Sequence, residues 1–371
     1  MGIIKLTKIV NEFVKKEDIL ISEFAGGKVA IDISNIIYGN FKKYYLDELK
    51  NVNILKNEQL DRNKIIKKIK KDIVNLCDSW LKQYVTPVLI FDGKSKNQKL
   101  KKIKSIENVK KNNKIKKDID LTINKTKLLN EINSIEKSHA TDSTDDLEQK
   151  VELDSEDIKK KLSIISYPYY KEIECIREYI TDLGIPTFVA DGEGEKLCAA
   201  LCVEGKVDAV LTTDTDIFMY QCPIVLFNTL KSVIVGNQLV RAYTKVSMNN
   251  ILDSFSFTPN QFIDFGIIMG CDHNKPLYEN KHFKTDTGRD EVIFTCFDLI
   301  KEFGKIENFP DNIMQRINDR KVNYAQCRDF FQMNPWPLLV HKECGMDNYL
   351  KERRNNDIGL FSLWKNKWLK R

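Results

Sequence analysis

Seven acidic residues stand where a folded chain could gather them. Asp32 lies at the end of the apolar run KVAIDI (28–33), and Asp92 closes VTPVLIFD. Asp214 and Asp216 follow VDAVLTT, Glu193 and Glu195 stand in ADGEGEKLCAAL, and Asp272 sits in MGCDHNK. Taken singly, each reads as an ordinary turn or helix-cap residue, and DxD or ExE pairs are common. Jointly they read differently, because four close or follow strand-type runs and two open a helix that comes after a strand. Carboxylates brought close together repel one another and hold their protons more tightly unless a cation neutralises them. A set of oxygen donors without histidine or cysteine suits hard ions, Mg²⁺ or Mn²⁺ in its place. Two such ions about 4 Å apart generate a hydroxide and stabilise the attacking and leaving oxygens at a phosphodiester.

Such acids need a scaffold that carries distant residues to one edge. KVAIDI, VTPVLIFD, IPTFVA, VDAVLTT and PIVLFN are compact apolar runs of buried-strand type. Between them lie helical patterns: a region around 63–84, the face Ile173, Ile176, Tyr179, Ile180 and Leu183 stopped by Gly184, and Glu193 to Val203. Strands alternating with helices predict an α/β fold on a mostly parallel sheet covered on both faces. Ligands bind such a sheet beyond the carboxyl ends of its strands, where the acids fall. An amphipathic stretch, Ile3 to Val14, precedes the first strand. Beyond Thr258 the chain reads helical, opening on Thr-Pro and continuing QFIDFGIIMG.

The bulk numbers agree with a folded protein. Hydrophobic residues make up 42% and charged residues 30% of 371, a globular balance. No run approaches the roughly 18 apolar residues of a membrane span. The first residues carry charges every few positions and lack a small-residue cleavage site, and Leu6 stands where myristoylation wants Ser or Thr. An intracellular protein is expected. The nine cysteines include no CxxC pair, and Cys198 and Cys202 read as small apolar residues packed under a helix. Net charge is +6, and its distribution is uneven: Lys94 to Lys117 holds eleven lysines against a single acid, Glu107. That density suits a polyanion such as a phosphate backbone. From Lys94 to about 161 the lysines give way to an acidic run from Asp142 to Asp157, so this segment is expected to protrude as charged helix and loop.

In these residues the chain resembles the flap endonucleases of the XPG superfamily of structure-specific 5′ nucleases. MGI and its amphipathic helix are similar to the family's N-terminus, KVAIDISNIIYG to its first block and VLIFDGK to its second. ADGEGEKLCAALCVEGKVDAVLTTDTDIFMY looks like the third block and QFIDFGIIMGCDHNK like the fourth, in family order from residue 1 to about 275. The resemblance implies a PIN-like, Rossmann-like fold with a helical arch and a C-terminal helix–turn–helix duplex-binding region. It implies two Mg²⁺ ions (Mn²⁺ able to replace them) on Asp32, Asp92, Glu193, Glu195, Asp214, Asp216 and Asp272. Lys99 falls where a catalytic lysine contacts the scissile phosphate, Tyr38 where an aromatic ring stacks on a substrate base, and Gly2 near the metals once Met1 is lost. The lysines from Lys94 then belong to the arch. Its second basic position is Ile106 here, with Lys104 or Lys110 able to substitute.

The implied organisation is a nuclease region in two parts, 1–93 and 167–275, a charged arch at 94–166, a duplex-binding region at 276–335 and a basic tail at 336–371. DNA with a 5′ single-stranded flap or junction is the expected partner, at sites of DNA replication in a nucleus or a cytoplasmic replication site. The turn after Asp272 departs from the family's glycine-rich form, which leaves duplex grip and K⁺ binding open. A sliding clamp is a further partner to consider, although QCRDFF has the wrong spacing for its peptide and GLFSLW only echoes it. Activity as a 5′→3′ exonuclease or junction resolvase, or a non-catalytic DNA-binding replication role on the same fold, stays open at this level.

Overall fold

The protein is described by a computed structural model covering residues 6–51, 60–93, 111–124, 126, 157–162, 164, 166–235, 238–271, 273–278 and 291–332. The apolar runs form strands as their composition demands. In chain order these are β1 (Glu17–Leu20), β2 (Lys28–Asp32), β3 (Thr86–Phe91), β4 (Thr187–Val189), β5 (Ala209–Leu211), β6 (Ile224–Val235) and β7 (Gln238–Ser247). They make one sheet in the order β1-β7-β6-β5-β2-β3-β4. From β6 to β4 every neighbouring pair is parallel, and β1 and β7 add an antiparallel edge. This is the expected mostly parallel sheet.

Strand β2 carries no side-chain alternation. Val29, Ala30 and Ile31 are all buried because β2 lies between β5 and β3 with cover on both faces. On one face the Gly194–Val203 helix lays Leu197, Cys198 and Leu201 into a core shared with Ala30, Val88, Ile90 and Val210. At the antiparallel end, Trp80, in the last turn of the Arg62–Leu81 helix, donates its indole N–H to the Tyr243 hydroxyl of β7 at 2.7 Å. The Leu6–Phe13 helix adds Leu6 and Ile9 to the main core, and Phe13 meets Phe294 edge-on. Cys198 and Cys202 are buried, in keeping with the packing role expected of them.

The strands β1 and β7 have no counterpart among the apolar runs picked out in the sequence. QLVRAYTKVS mixes apolar and polar residues without a continuous apolar run, and buries Ala242, Tyr243 and Val246. Register pairs Val235 with Gln238 across β6 and β7.

The chain divides into two compact units, one of residues 1–36, 75–100 and 180–371 and one of residues 37–74 and 101–179. The sheet belongs wholly to the first. In the second, the Arg62 guanidinium stacks between the rings of Phe41 and Tyr169 and donates to both oxygens of Glu172, at 2.7 and 2.6 Å. Buried Glu48 accepts from Lys64 at 2.8 Å and from Lys68 at 2.6 Å. Residues 111–124 and 157–162 are helical; apart from Thr126, the remainder of 94–156, all of 279–290 and the tail from 333 lie outside the described residues. Three helices follow the altered turn: Glu291–Phe303, Asp311–Asp319 and Tyr324–Phe331. Among the described residues no helix is long and apolar enough to cross a membrane.

Candidate active site

Register decides which residues meet at the carboxyl edge. Ile31 pairs with Leu211 and Asp32 with Ile90, so Asp32 stands level with Thr212 on one side and two residues short of Asp92 on the other. Asp32 is only 2% exposed. Its Oδ2 accepts from Thr212 Oγ1 at 3.0 Å and from Asn35 Nδ2 at 2.7 Å. Thr212 Oγ1 in turn accepts the Asp214 amide at 3.1 Å, and Asp214 Oδ1 accepts the Asp216 amide at 3.2 Å. One hydrogen-bonded relay thus links the end of β2 to the loop after β5. Asp216 then begins a short turn of helix whose Ile217 and Phe218 are buried, fixing the loop from below.

Asp92 is set by two other elements. Its amide donates to Ser34 Oγ at 3.0 Å, and its Oδ1 accepts the Gly194 amide at 2.7 Å. Gly194 is the first residue of the Gly194–Val203 helix, whose exposed N–H groups and dipole favour an anion. The next strand pair comes so close that a Cβ on Gly93 would lie 1.7 Å from the Ala190 carbonyl oxygen, so only glycine allows Asp92 this position. Glu193 occupies the N-cap of the same helix without making a side-chain cap bond. Its Oε2 accepts from Tyr220 Oη at 2.9 Å and lies 3.3 Å from His273 Nε2. Glu195 lies in the first turn of the same helix.

The electrostatics show that these acids share a region. Burial, and then the charges of Asp92 and Asp214, push the Asp32 carboxyl up to about 7, against the lowering effect of Thr212 and Asn35. Burial, with the charges of Asp32, Glu195 and Asp92, holds the Cys198 thiol well above its ordinary value. Burial and the charges of Glu195, Asp216, Cys271 and Asp214 do the same to the Tyr220 phenol. Six of the seven expected acids are therefore described and lie about one end of the sheet; Asp272 lies outside the described residues, as do Gly2, Lys94, Lys99, Lys104 and Lys110. Tyr38 belongs to the Ile33–Lys50 helix and its ring is 41% exposed.

Among the described residues no group of three or more histidine, cysteine, aspartate or glutamate side chains is drawn closely enough together to hold a metal ion. The carboxylates are turned instead to local donors: Asp32 to Thr212 and Asn35, Asp92 to the Gly194 amide, Glu193 to Tyr220. The donor chemistry nevertheless fits a hard divalent cation, since the acids are oxygen donors whose mutual repulsion already raises Asp32. Ser34, Asn35, Thr212, Tyr220 and His273, which orient these acids, were not singled out in the sequence. Ser34, Asn35 and Thr212 lie within three residues of an expected ligand, but serine, asparagine and threonine at a strand end read equally well as turn residues.

Comparison with known proteins adds to this geometry. The family model of the XPG I-region matches residues 184–272, the stretch that supplies five of the expected acids. The chain is 25% identical to flap endonuclease 1 of Glycine max over 353 residues, covering 94% of this chain and 78% of that protein. It is 24% identical to flap endonuclease 1 of Brugia malayi over 330 residues, covering 88% and 72%. Over a shorter stretch of 148 residues, 40% of this chain and 33% of the relative, identity to flap endonuclease 1 of Ostreococcus lucimarinus is 32%. In three dimensions the catalytic core of Rad2, solved in complex with DNA substrate, matches with a TM-score of 0.52 at 16% identity, over 90% of this chain and 87% of that one. That likeness establishes the fold.

Proposed function

We propose that this chain, which is similar to the XPG I-region over residues 184–272 and 25% identical to flap endonuclease 1 of Glycine max, is a structure-specific 5′ nuclease of the XPG superfamily cleaving 5′-flap or related branched DNA. The observation that carries the reading is Asp32 at the end of β2, whose carboxyl is pushed up to about 7 first by burial and then by the charges of Asp92 and Asp214. Acids crowded in this way at the ligand edge of a parallel sheet are suited to neutralisation by cations held against a phosphate.

Two Mg²⁺ ions, or Mn²⁺ in their place, would be held by Asp32, Asp92, Glu193, Glu195, Asp214, Asp216 and Asp272, and when bound they supply the positive charge that activates water and stabilises the leaving oxygen. The chain's own groups do the rest. Thr212 and Asn35 hold Asp32, the Gly194 amide holds Asp92, and Ser34 holds the backbone beside it. Lys99 lies on the scissile phosphate, where a positioned cation stabilises charge that builds in the transition state. Tyr38 stacks on the terminal unpaired base, an interaction of about 1–3 kcal/mol. Lys94, Lys104 and Lys110 of the arch (94–166) grip the 5′ single strand, with Gly2 near the cations. Residues 276–335 hold the duplex and 336–371 form a basic tail. The products are a 5′-phosphate and a 3′-hydroxyl, made inside the cell at sites of DNA replication.

The test is Asp214→Asn with a labelled 5′-flap duplex in Mg²⁺. Cleavage should disappear while flap binding is largely kept; full activity in the variant would refute the assignment. Product lengths from flap, blunt, gapped and four-way-junction DNA separate flap cleavage from exonuclease or resolvase action.

A further inference from the structure

Glu193 is held differently from the other acids. Asp32 and Asp92 are oriented by neighbours on the sheet edge, whereas the Glu193 carboxylate is oriented by two rings packed against the last described helix. Tyr220 is fully buried and donates its hydroxyl to Glu193 Oε2 at 2.9 Å. His273 brings Nε2 to the same oxygen at 3.3 Å. A carboxylate only accepts, so the Nε2 facing it carries the hydrogen. Neither ring stands alone. The Phe330 ring lies 3.8 Å from the His273 ring, and the Phe331 ring lies 5.1 Å from Tyr220 and 5.5 Å from His273. Phe331 is fully buried. Two polar contacts pin the same helix end: Lys196 Nζ donates to the Phe330 carbonyl at 3.2 Å, and the Cys327 thiol donates to the His273 carbonyl at 3.6 Å.

We infer that Tyr220 and His273 are positioning residues for Glu193, and that the Tyr324–Phe331 helix, through Phe330 and Phe331, is the element that holds them. The inference rests on the reading of Glu193 as a cation ligand. With Oε2 bonded by the two donors, the carboxylate is held in one orientation relative to a cation. Groups that orient a ligand in this way are worth 10–100-fold in metal affinity. A purely structural role for these rings would show in the stability of the cation-free protein and leave affinity unchanged.

The experiment is calorimetric titration of the full chain with Mn²⁺ in the absence of DNA, beside the thermal midpoint of the cation-free protein. Tyr220→Phe keeps the ring and removes only the hydroxyl. It should weaken Mn²⁺ binding about tenfold with the cation-free midpoint nearly unchanged. His273→Gln, which keeps an N–H donor, should bind more tightly than His273→Leu, and Phe330→Leu should weaken binding without touching either donor. Wild-type Mn²⁺ affinity in Tyr220→Phe, when Glu193→Gln has lost affinity, overturns the positioning role. Unchanged affinity in Glu193→Gln instead overturns the ligand reading itself, and the positioning role falls with it.

Discussion

Asp32 concentrates the chemistry of the site in one titration. Its carboxyl is pushed up to about 7 from an ordinary value of 3.8, first by burial and then by Asp92 and Asp214. The folded state therefore holds this proton more tightly than the unfolded chain does. The stability it contributes is complete below pH 3.8 and is lost as pH rises through about 7. In EDTA, the thermal midpoint of the wild type relative to Asp32→Asn should fall between pH 5 and pH 8, and Mg²⁺ at pH 8 should restore it. A flat difference across that range would show that the crowding of charge is not felt. Asp32 itself was legible as a strand-end acid. Thr212, which bonds both Asp32 and the Asp214 amide, was not, because its role depends on the register of two strands far apart in the chain.

Elements hold the site through a few close approaches. Gly93 follows β3 where the chain passes against the segment after β4, its amide donating to the Gly192 carbonyl at 2.8 Å and its missing Cβ leaving room for the Ala190 carbonyl. Gly93→Ala should force the β3 and β4 ends apart and cost about 3 kcal/mol in urea unfolding, the upper range for overpacking. Helix Pro259–Met269 is tied to helix Tyr324–Phe331 by a buried fork: Arg328 Nε and Nη2 donate to Asp264 Oδ1 and Oδ2, each at 2.8 Å. Arg328 also reaches Glu307 at 2.6 Å, and Asp264 accepts the Ile306 amide at 3.1 Å. Arg328→Met leaves Asp264 buried and uncompensated and should cost about 3–5 kcal/mol. Asp264→Leu combined with Arg328→Met should recover much of that in the same unfolding experiment. Asp264 was visible in the sequence only as a polar break in QFIDFGIIMG; its partner lies 64 residues on.

Over the whole molecule the charge is unevenly spread. A net +6 is modest for a DNA-binding protein, but eleven of the lysines fall between Lys94 and Lys117 with one acid among them. Binding that depends on this segment releases counterions from the phosphate backbone and weakens with salt. Replacing Lys99, Lys104 and Lys110 together by alanine should lower the slope of log affinity against log salt by roughly one per lost phosphate contact, about three in all. An unchanged slope in fluorescence anisotropy with flap DNA would show that these lysines make no phosphate contact.

Composition and apolar runs were enough to determine the mostly parallel sheet, and the order of the acids to expect them at its carboxyl edge. Both rest on local pattern: a run of buried β-branched residues has one plausible place in an α/β protein, and an acid directly after it must emerge at that edge. Strand β7, paired antiparallel with β6 and β1, mixes apolar and polar residues and so carries no apolar run to mark it. Only the tertiary structure decided how each carboxylate is held. Tyr220 and His273 reach Glu193 across 27 and 80 residues of sequence, and Phe331 packs on both of their rings. Hydrogen bonds at that separation exist only once strand register and helix packing have brought the partners within 3 Å or so, and no local spacing records them.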